Sequence, residues 1–297
     1  MRKTKLVQEG SASSTSAFEK GSASSSSAFK LYESGIIKVS RPMDNPTAPY
    51  AAPGEIPDYL SMIDHKAEIA DKKAYERALE TEERRLNILV RKLAAAKRSL
   101  IVVLQGRDGA GKSGATIRIA GALDHDAKLF RSVPIGAPTE DERARSPMDR
   151  FFKHERMPGY GQVRVFDRSW YEEVLVVRVN KIKPEPVWQA AYSSLRTLDW
   201  MLEAEGAIVV KIWMDISKGE QKKRFEDRAR DKPWKLSPSD MEARKKWKHY
   251  TAAANEMFYQ TGVDYAPWFL ISSEDKRYSR VHALAVINQQ LSEALGE

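Results

Sequence analysis

The chain has 297 residues, a formal net charge of +8, a sequence pI near 9.4 and no cysteine. The lack of cysteine excludes disulfides and thiolate metal sites and suits the reducing cytoplasm. No apolar run reaches the roughly 20 residues that cross a bilayer, and the first residues lack the apolar core of a signal peptide, so we expect a cytoplasmic protein with a polyanionic partner.

The N-terminal part differs in composition from the rest of the chain. Two nearly identical Ser- and Ala-rich tracts within the first 30 residues are followed by a proline-spaced stretch at residues 41–50. Such tracts cannot bury enough apolar surface to offset chain entropy. We predict a disordered extension over residues 1–55 and one folded domain over residues 56–297. The alternative is an arm that docks on a neighbouring subunit. Its aromatic anchors would be Phe18, Phe29 and Tyr50.

Residues 63–98 show leucines at helical spacing and many charged residues, which predicts a helix that packs against a sheet. The apolar run at residues 100–104 then predicts a buried parallel strand. Further strands are expected at residues 128–133, 163–166, 207–215 and 268–272. Since helical segments alternate with these strands, the sequence predicts an α/β fold with a parallel sheet covered on both faces.

A glycine-rich loop follows the first of these strands. Its spacing, Gly106-x-x-x-x-Gly111-Lys112-Ser113, is typical of loops that bind phosphate between a strand and a helix. Glycines let the backbone wrap a phosphate, helix N-terminal amides point at it, and lysine adds a mobile positive charge. A structural glycine turn is the alternative. The loop residues expected to contact phosphate are Gly106, Gly109, Gly111, Lys112, Ser113 and Gly114.

Two acidic residues lie where a metal ion would be needed. Asp108 is inside the loop, where a carboxylate repels phosphate unless Mg²⁺ lies between them. Asp167 ends the strand at residues 163–166, whose carboxyl end should lie beside the phosphate loop. Arg168 follows and could reach a phosphate oxygen bidentately. Because many strands end in a solvated acid, Asp167 alone would be weak evidence, but the loop upstream favours a metal site.

The third chemical feature is a basic helix–loop–helix. A helix is predicted to begin at the capping box Ser217/Glu220 and to end before Pro233, with Arg224 and Arg228 on one face. Between residues 218 and 248 there are 12 Lys and Arg against six Asp and Glu. A solvated basic face would explain such a run. Because it follows the fourth strand, where kinases of this architecture carry a closing lid, we favour a lid at about residues 218–250.

Five segments of the chain resemble, in order, the second family of polyphosphate kinases, and the resemblance extends from about Ala67 to the C-terminus. The five segments are Gly106-x-Asp108-x-x-Gly111-Lys112-x-Gly114, Phe166-Asp-Arg-Ser-Trp-Tyr171, Ser217-Lys-x-Glu220-Gln221-x-x-Arg224-Phe225-x-x-Arg228, Trp234-Lys235-Leu-Ser237-x-x-Asp240 and Ala266-Pro-Trp268. Two features depart from the family pattern: the complete loop ending at Ser113, and residues 150–154, where a Trp-Arg pair is expected.

The resemblance implies a P-loop kinase-like fold with three layers, α/β/α, a parallel sheet and a helical lid. It implies transfer of a terminal phosphoryl group between inorganic polyphosphate and a purine nucleotide, AMP or ADP, with GMP and GDP as further acceptors. It also implies Mg²⁺, for which Mn²⁺ can substitute, and a homo-oligomer, either a dimer or a tetramer.

The resemblance also assigns roles to single residues. Asp108 and Asp167 would hold the metal, and four cations would neutralise the transferring phosphoryl group. These cations are Lys112, Arg168, Arg224 and Arg228. Arg118 and Lys235 would extend a basic track for polyphosphate, and Glu172 is the candidate for acceptor specificity, in a run that resembles the branch accepting both AMP and ADP.

Two other functions remain open at this point. An ATP-dependent nucleoside or nucleotide kinase of the thymidylate kinase type would share the loop, the Asp-Arg-Ser turn and the arginine-bearing lid, but would not need the surplus of positive charge. A nucleic-acid-binding protein would explain the charge but has no use for Asp108 or Asp167, and no nucleic-acid-binding motif is recognisable. The preferred base, the direction of transfer and the number of subunits are not determined by these patterns.

Overall fold

A computed structural model of the chain describes residues 29–31, 35–235 and 237–297, with the side chains of all of these except residues 29–31 and Lys235. Seven strands form one sheet. They are β1 (Phe29–Leu31), β2 (Ile37–Val39), β3 (Ser99–Gly106), β4 (Phe130–Pro134), β5 (Val163–Asp167), β6 (Ala207–Asp215) and β7 (Trp268–Ser272). The helices of the described residues are α1 (Lys72–Leu93), α2 (Lys112–Ala122), α3 (Glu140–Arg143), α4 (Val176–Val179), α5 (Glu185–Ala204), α6 (Lys218–Asp231), α7 (Pro238–Lys245), α8 (Trp247–Thr261) and α9 (Lys276–Leu295).

The strand order across the sheet is β1-β2-β7-β6-β3-β5-β4. The five strands from β7 to β4 are parallel, and β1 and β2 add an antiparallel edge. The central strands β3 and β6 are almost wholly buried, as expected of Val- and Ile-rich parallel strands that helices cover on both faces. The predicted parallel α/β sheet is confirmed.

Two helical layers enclose this sheet. On one face α1, α2 and α9 pack through buried residues such as Leu86, Ile119 and Leu284. On the other face α5 and α8 pack through residues such as Leu195 and Phe258. The three-layer arrangement is therefore confirmed, because these five helices cover both faces of the sheet with their buried apolar residues. No helix among the described residues is long and apolar enough to cross a membrane.

Helix α1 is shorter than the helix predicted over residues 63–98. It begins at Lys72, where Asp71 caps it by accepting a hydrogen bond from the amide of Ala74 at 2.6 Å. Residues 59–62 form a separate 3₁₀ turn capped by Asp58. Asp71 is a favourable N-cap residue, so the helical backbone of α1 starts after it and not at residue 63.

Residues 35–55, expected to be disordered, pack on the domain in this structure. Strand β2 pairs with β7, and Ile37 and Val39 are fully buried. Tyr50 stacks on Tyr192 with ring centroids 5.6 Å apart and donates a hydrogen bond to Glu256 at 2.8 Å. The Ser-rich composition of the tracts does not extend to these apolar and aromatic residues, which supply the missing burial. Residues 1–28, including Phe18, lie outside the described residues, as does the Phe29 side chain.

The basic helix–loop–helix differs in one respect from its prediction. Helix α6 begins after Ser217 and ends before Pro233, as predicted. The predicted capping box is only half formed, because Ser217 accepts from the amide of Glu220 but its own amide donates to Glu274. The second helix of the predicted helix–loop–helix is two helices in the structure, α7 and α8, which meet at Lys246. The backbone of Lys246 leaves helical geometry there, with φ −90° and ψ 22°. Only α8 carries the apolar stripe that packs on the sheet.

Candidate active site

The phosphate-binding loop lies between β3 and α2, as its spacing predicted. A Cβ atom at Gly106 would lie 2.1 Å from the carbonyl oxygen of Met214, so only glycine fits where the loop passes β6. Gly111 caps α2 with φ 98°, a conformation that glycine adopts without strain. The Nζ atom of Lys112 donates to the carbonyl oxygens of Gly106 and Arg107 at 3.0 and 3.2 Å. This lysine therefore closes the loop, and its ammonium group faces the cleft above.

That cleft has a volume of about 690 Å³. Its walls come from the loop, the ends of β4 and β5, helix α6 and the first turn of α9. The cations that line it are Lys112, Arg168, Arg224, Arg228, Lys232, Lys276 and Arg280. The acids that line it are Asp108, Asp167, Asp227 and Asp231. Because cations outnumber acids and lie on both sides of the loop, the cleft favours a ligand with several negative charges.

Asp108 and Asp167 both face this cleft. Arg168 donates to Asp108 through Nη2 at 2.7 Å. Burial raises the pKa of Asp108, but the charges of Lys112 and Arg168 outweigh it and hold that pKa below its usual value. Asp167 accepts a hydrogen bond at 3.3 Å from Ser113, the residue after the loop lysine. The negative charge of Asp108, which would repel phosphate, is thus offset by the positive charges of Lys112 and Arg168.

The donor set at this position fits a hard divalent cation bound together with substrate. Among the described residues no cluster of three or more acidic, His or Cys side chains could hold a metal by itself. Mg²⁺ usually keeps several waters and is bound by one or two carboxylates plus substrate phosphates. Asp108 and Asp167 supply two carboxylates beside the loop, and Ser113 adds a hydroxyl oxygen. The sequence-based assignment of the two acids is compatible with this geometry.

Glu172 lies behind the loop in a second, smaller cavity of about 60 Å³. This cavity also contacts Gln105, Arg168, Trp247 and Tyr250. Burial raises the pKa of Glu172, and the positive charge of Arg168 opposes that shift. Burial lowers the pKa of Arg168, but Glu172 and Asp108 reverse the effect and raise it above its usual value. Arg168 is therefore held between the acid of the cleft and the acid of the small cavity.

The two arginines of α6 have different environments although they lie on the same helix face. The side chain of Arg224 is 5% exposed. It donates to the carbonyl oxygens of Gly109, Ser273 and Glu274 and to the carboxylate of Glu220, at 2.7 to 2.9 Å. The Arg228 side chain contacts the ring of Phe225 at 5.7 Å and makes no hydrogen bond or ion pair in the described part of the chain. Arg224 thus anchors α6 to the loop, whereas Arg228 is free to bind a ligand.

Arg118, one of the two residues predicted to extend the basic track, does not line the cleft. Arg118 lies on α2 six residues after Lys112, which turns it about 240° around the helix, and its charge acts instead on Glu83 of α1. The side chain of Lys235 lies outside the described residues. The sequence prediction missed Lys276 and Arg280 of α9. The available signal was that α9 follows β7, whose carboxyl end lies at the same edge of the parallel sheet as the loop.

Comparisons with known proteins identify the family to which the chain is similar. A family model described as "Polyphosphate kinase 2 (PPK2)" matches residues 69–296. The Polyphosphate:AMP phosphotransferase of Pseudomonas aeruginosa is 37% identical over 256 residues, which cover 83% of this chain and 50% of that protein. The AMP/ADP-polyphosphate phosphotransferase of Meiothermus ruber is 37% identical, over 70% of this chain and 77% of that protein. The crystal structure of Polyphosphate Kinase 2 from Arthrobacter aurescens TC1 superposes with a TM-score of 0.71 at 27% identity, over 84% of this chain and 90% of that one. This chain spans about half the length of the Pseudomonas relative.

Proposed function

The chain belongs to the polyphosphate kinase 2 family, and we propose that it transfers a terminal phosphoryl group between inorganic polyphosphate and a nucleoside mono- or diphosphate. The observation that carries this proposal is the cleft above the phosphate loop. Its cations lie on four separate elements, including the N-terminal part of α9, and outnumber its acids, of which two lie beside the loop and two on α6. Inorganic polyphosphate carries about one negative charge per phosphate, so a row of cations of this kind suits a linear polyanion.

In this reaction the residues of the cleft would position the phosphoryl group and neutralise its negative charge. In phosphoryl transfer, charge spreads over the equatorial oxygens of a loose transition state, and the protein contributes mainly fixed cations. Lys112 lies at the loop, Arg168 on one wall and Arg228 on the other. We infer that phosphate oxygens compete with Asp108 for the guanidinium group of Arg168 when substrate binds.

A divalent metal is part of this proposal. Asp108, Asp167 and the hydroxyl of Ser113 would hold Mg²⁺, with Mn²⁺ as a substitute. When bound, the ion would neutralise phosphate charge and orient the transferred group. Without it, the two acids would oppose the binding of a polyanion in the same cleft.

We infer that the nucleotide acceptors are AMP and ADP. The names of two relatives specify AMP and AMP/ADP as acceptors. The structural candidate for this choice is Glu172, because its carboxylate lies in the small cavity beside Arg168. Relatives named for GDP or for nucleoside diphosphates in general are 33% and 31% identical, so guanine nucleotides are a further acceptor class to test.

The experiment is an activity matrix of donors and acceptors. Purified protein is supplied with polyphosphate or ATP as donor and with AMP, ADP, GMP or GDP as acceptor, at matched free Mg²⁺ because polyphosphate sequesters the metal. We expect ADP and ATP to form from polyphosphate in the absence of ATP. Turnover only with ATP as donor would overturn the proposal and favour an ATP-dependent nucleotide kinase.

We further propose that the protein works in the cytoplasm as a homo-oligomer. The absence of cysteine supports the first statement and the family resemblance supports the second. Sedimentation velocity at several concentrations tests the subunit number.

A further inference from the structure

His65 lies between two carboxylates at the edge of the sheet that carries the site. It belongs to the segment between the 3₁₀ turn and α1. Its Nε2 atom is 3.4 Å from Oδ2 of Asp215, and its Nδ1 atom is 3.8 Å from Oε2 of Glu274. The imidazole is 30% exposed and Asp215 is 4% exposed. Nδ1 is buried and has no hydrogen-bond partner among the described residues. The carboxylate of Glu274 is near this nitrogen but beyond hydrogen-bond distance.

Asp215 connects His65 to the phosphate loop. This acid ends β6 and accepts hydrogen bonds from Nε of Arg107 at 3.1 Å and from Nε1 of Trp213 at 2.9 Å. Arg107 is the loop residue next to Asp108. Its guanidinium group lies 3.9 Å from the ring centre of Trp247 in α8. Asp215 therefore holds the side chain that fixes one end of the loop.

Glu274 connects His65 to the base of α6. Its carboxylate accepts hydrogen bonds from both the amide and the hydroxyl of Ser217, at 2.9 and 2.6 Å. Ser217 is the N-cap of α6, the helix that carries Arg228. The backbone carbonyl of Glu274 also accepts from Arg224 at 2.8 Å. Glu274 therefore holds the first turn of the basic helix.

We propose that His65 is a positioning residue whose protonated imidazole bridges Asp215 and Glu274 and so keeps the phosphate loop and α6 in their working arrangement. This inference rests on the proposed function of the same site. A protonated imidazole has two N–H donors, one for each carboxylate. A neutral imidazole has one, so one carboxylate loses its partner and the two acids repel each other. The base of α6 then loosens relative to the loop.

The charges around His65 favour the protonated form. The hydrogen bond to Asp215 raises the pKa of His65 above its usual value, burial opposes this, and the charges of Asp215, Glu274 and Asp64 add to the rise. Arg107 lies behind Asp215 and is the nearby opposing charge. Since the folded pKa is raised, the bridge contributes its full stabilisation below the unfolded pKa of His and loses it as pH rises through the folded pKa.

The first test is the pH profile of kcat with polyphosphate and ADP for the wild type, His65→Gln and a control variant, His154→Gln. His154 is exposed and lies in a loop. We expect wild-type kcat to fall about three- to tenfold as His65 deprotonates. His154→Gln should follow the wild type. His65→Gln should lack this step and have the low kcat at every pH, with the KM for ADP changed less than about twofold. A His65→Gln profile parallel to that of the wild type would overturn the proposal, because a merely structural residue lowers activity equally at all pH values.

The second test does not use activity. The Nε–H resonance of Arg107, assigned with Arg107→Lys, is followed by NMR over the same pH range. In the wild type we expect the chemical shift of this resonance to change with pH as His65 loses its proton, above the usual pKa of histidine. In His65→Gln the chemical shift should stay constant. A constant resonance in the wild type would overturn the bridge. If the wild type shows no transfer from polyphosphate, the proposed function fails, and the resonance still decides whether His65 communicates with the loop.

Discussion

Arg224 and Arg228 show how the same residue type on one helix face can have two roles. Both guanidinium groups line the cleft. Every nitrogen of Arg224, however, already donates to a carbonyl or carboxylate oxygen. Arg228 has only its contact with Phe225 in the described part of the chain. Arg224 therefore stabilises the structure of the site, whereas the guanidinium group of Arg228 is available to a ligand.

Alanine substitutions should separate these roles. Arg224→Ala leaves the buried carbonyl oxygens of Gly109 and Ser273 without donors, so the free energy of unfolding should fall by about 3 kcal/mol. Arg228→Ala should leave unfolding unchanged and lower kcat about 10²-fold, as the loss of a donor to transition-state charge does. Thermal melts and steady-state kinetics on both variants measure these effects. Equal melting temperatures for the two variants, or a change confined to the KM of Arg228→Ala, would contradict this division.

Lys211 is a second residue whose role depends on its surroundings. It lies in the apolar strand β6 and is fully buried. Its Nζ atom donates to Asp199 at 2.7 Å, to the carbonyl oxygen of Thr261 at 2.7 Å and to Tyr171 at 3.0 Å. Burial lowers the pKa of Lys211, and Asp199 opposes the shift. Tyr171 also donates to Asp199. This buried network holds the segment after Asp167 against the sheet.

Among the elements, the N-terminal arm (residues 35–63) is bound to the domain by backbone and side-chain contacts. Strand β2 extends the sheet beside β7. Arg196 of α5 donates to the carbonyl oxygens of Pro46 and Ala48. Gln260 of α8 donates to the carbonyl oxygen of Ala51 at 3.0 Å. The arm is thus bound by a strand pairing at one end and by side-chain hydrogen bonds to its backbone along the proline-spaced stretch.

Two truncations test the contribution of the arm. Removal of residues 1–27 should leave the urea midpoint of unfolding unchanged, as expected of the Ser-rich tracts. Removal of residues 1–57 exposes the surface that Ile37, Val39 and Tyr50 cover and should lower the free energy of unfolding by at least about 4 kcal/mol.

A point variant keeps this test usable if the longer truncation does not fold. Tyr50→Ala removes the stacking on Tyr192 and the hydrogen bond to Glu256 and should cost about 3 kcal/mol. Full stability of both Tyr50→Ala and the longer truncation would mean that the arm packs without stabilising the domain.

For the whole molecule, charge distribution is the property that relates most directly to function. The chain has a net charge of +8, and seven cations of the described residues, from parts of the chain far apart in sequence, line the cleft. A linear polyanion would make many weak contacts in such a cleft, each of which salt screens. A compact ligand such as a nucleotide would make fewer of them.

The KM for polyphosphate should therefore rise with ionic strength more steeply than the KM for ADP. Between about 50 mM and about 300 mM KCl we expect a rise of at least about fivefold for polyphosphate. Lys276→Ala and Arg280→Ala should each raise this KM at low salt and make the salt dependence shallower. Arg118→Ala is the matched control, because Arg118 lies outside the cleft. Equal effects of all three substitutions would show that only the net charge matters and not the positions of the cations.

The amino-acid sequence by itself determined those features that depend on neighbouring residues. The spacing Gly106 to Ser113 determined the strand–loop–helix, because a phosphate loop is built from one continuous segment. The N-cap residue Ser217 determined where α6 begins, and the apolar runs determined the central strands. Asp108 and Asp167 could be assigned to one site because parallel strands end at the same edge of the sheet.

Only the tertiary structure decided which distant segments meet. It separated Arg224 from Arg228, because the partners of Arg224 come from the loop and from the end of β7. It showed that Arg118 lies outside the cleft and that Lys276 and Arg280 line it. The reason is that the rotation of each helix and the strand order decide which side chains face the cleft. It placed His65 between Asp215 and Glu274, residues about 150 and 209 positions away along the chain. Local patterns carry no information about such contacts, since these arise only when the whole core packs.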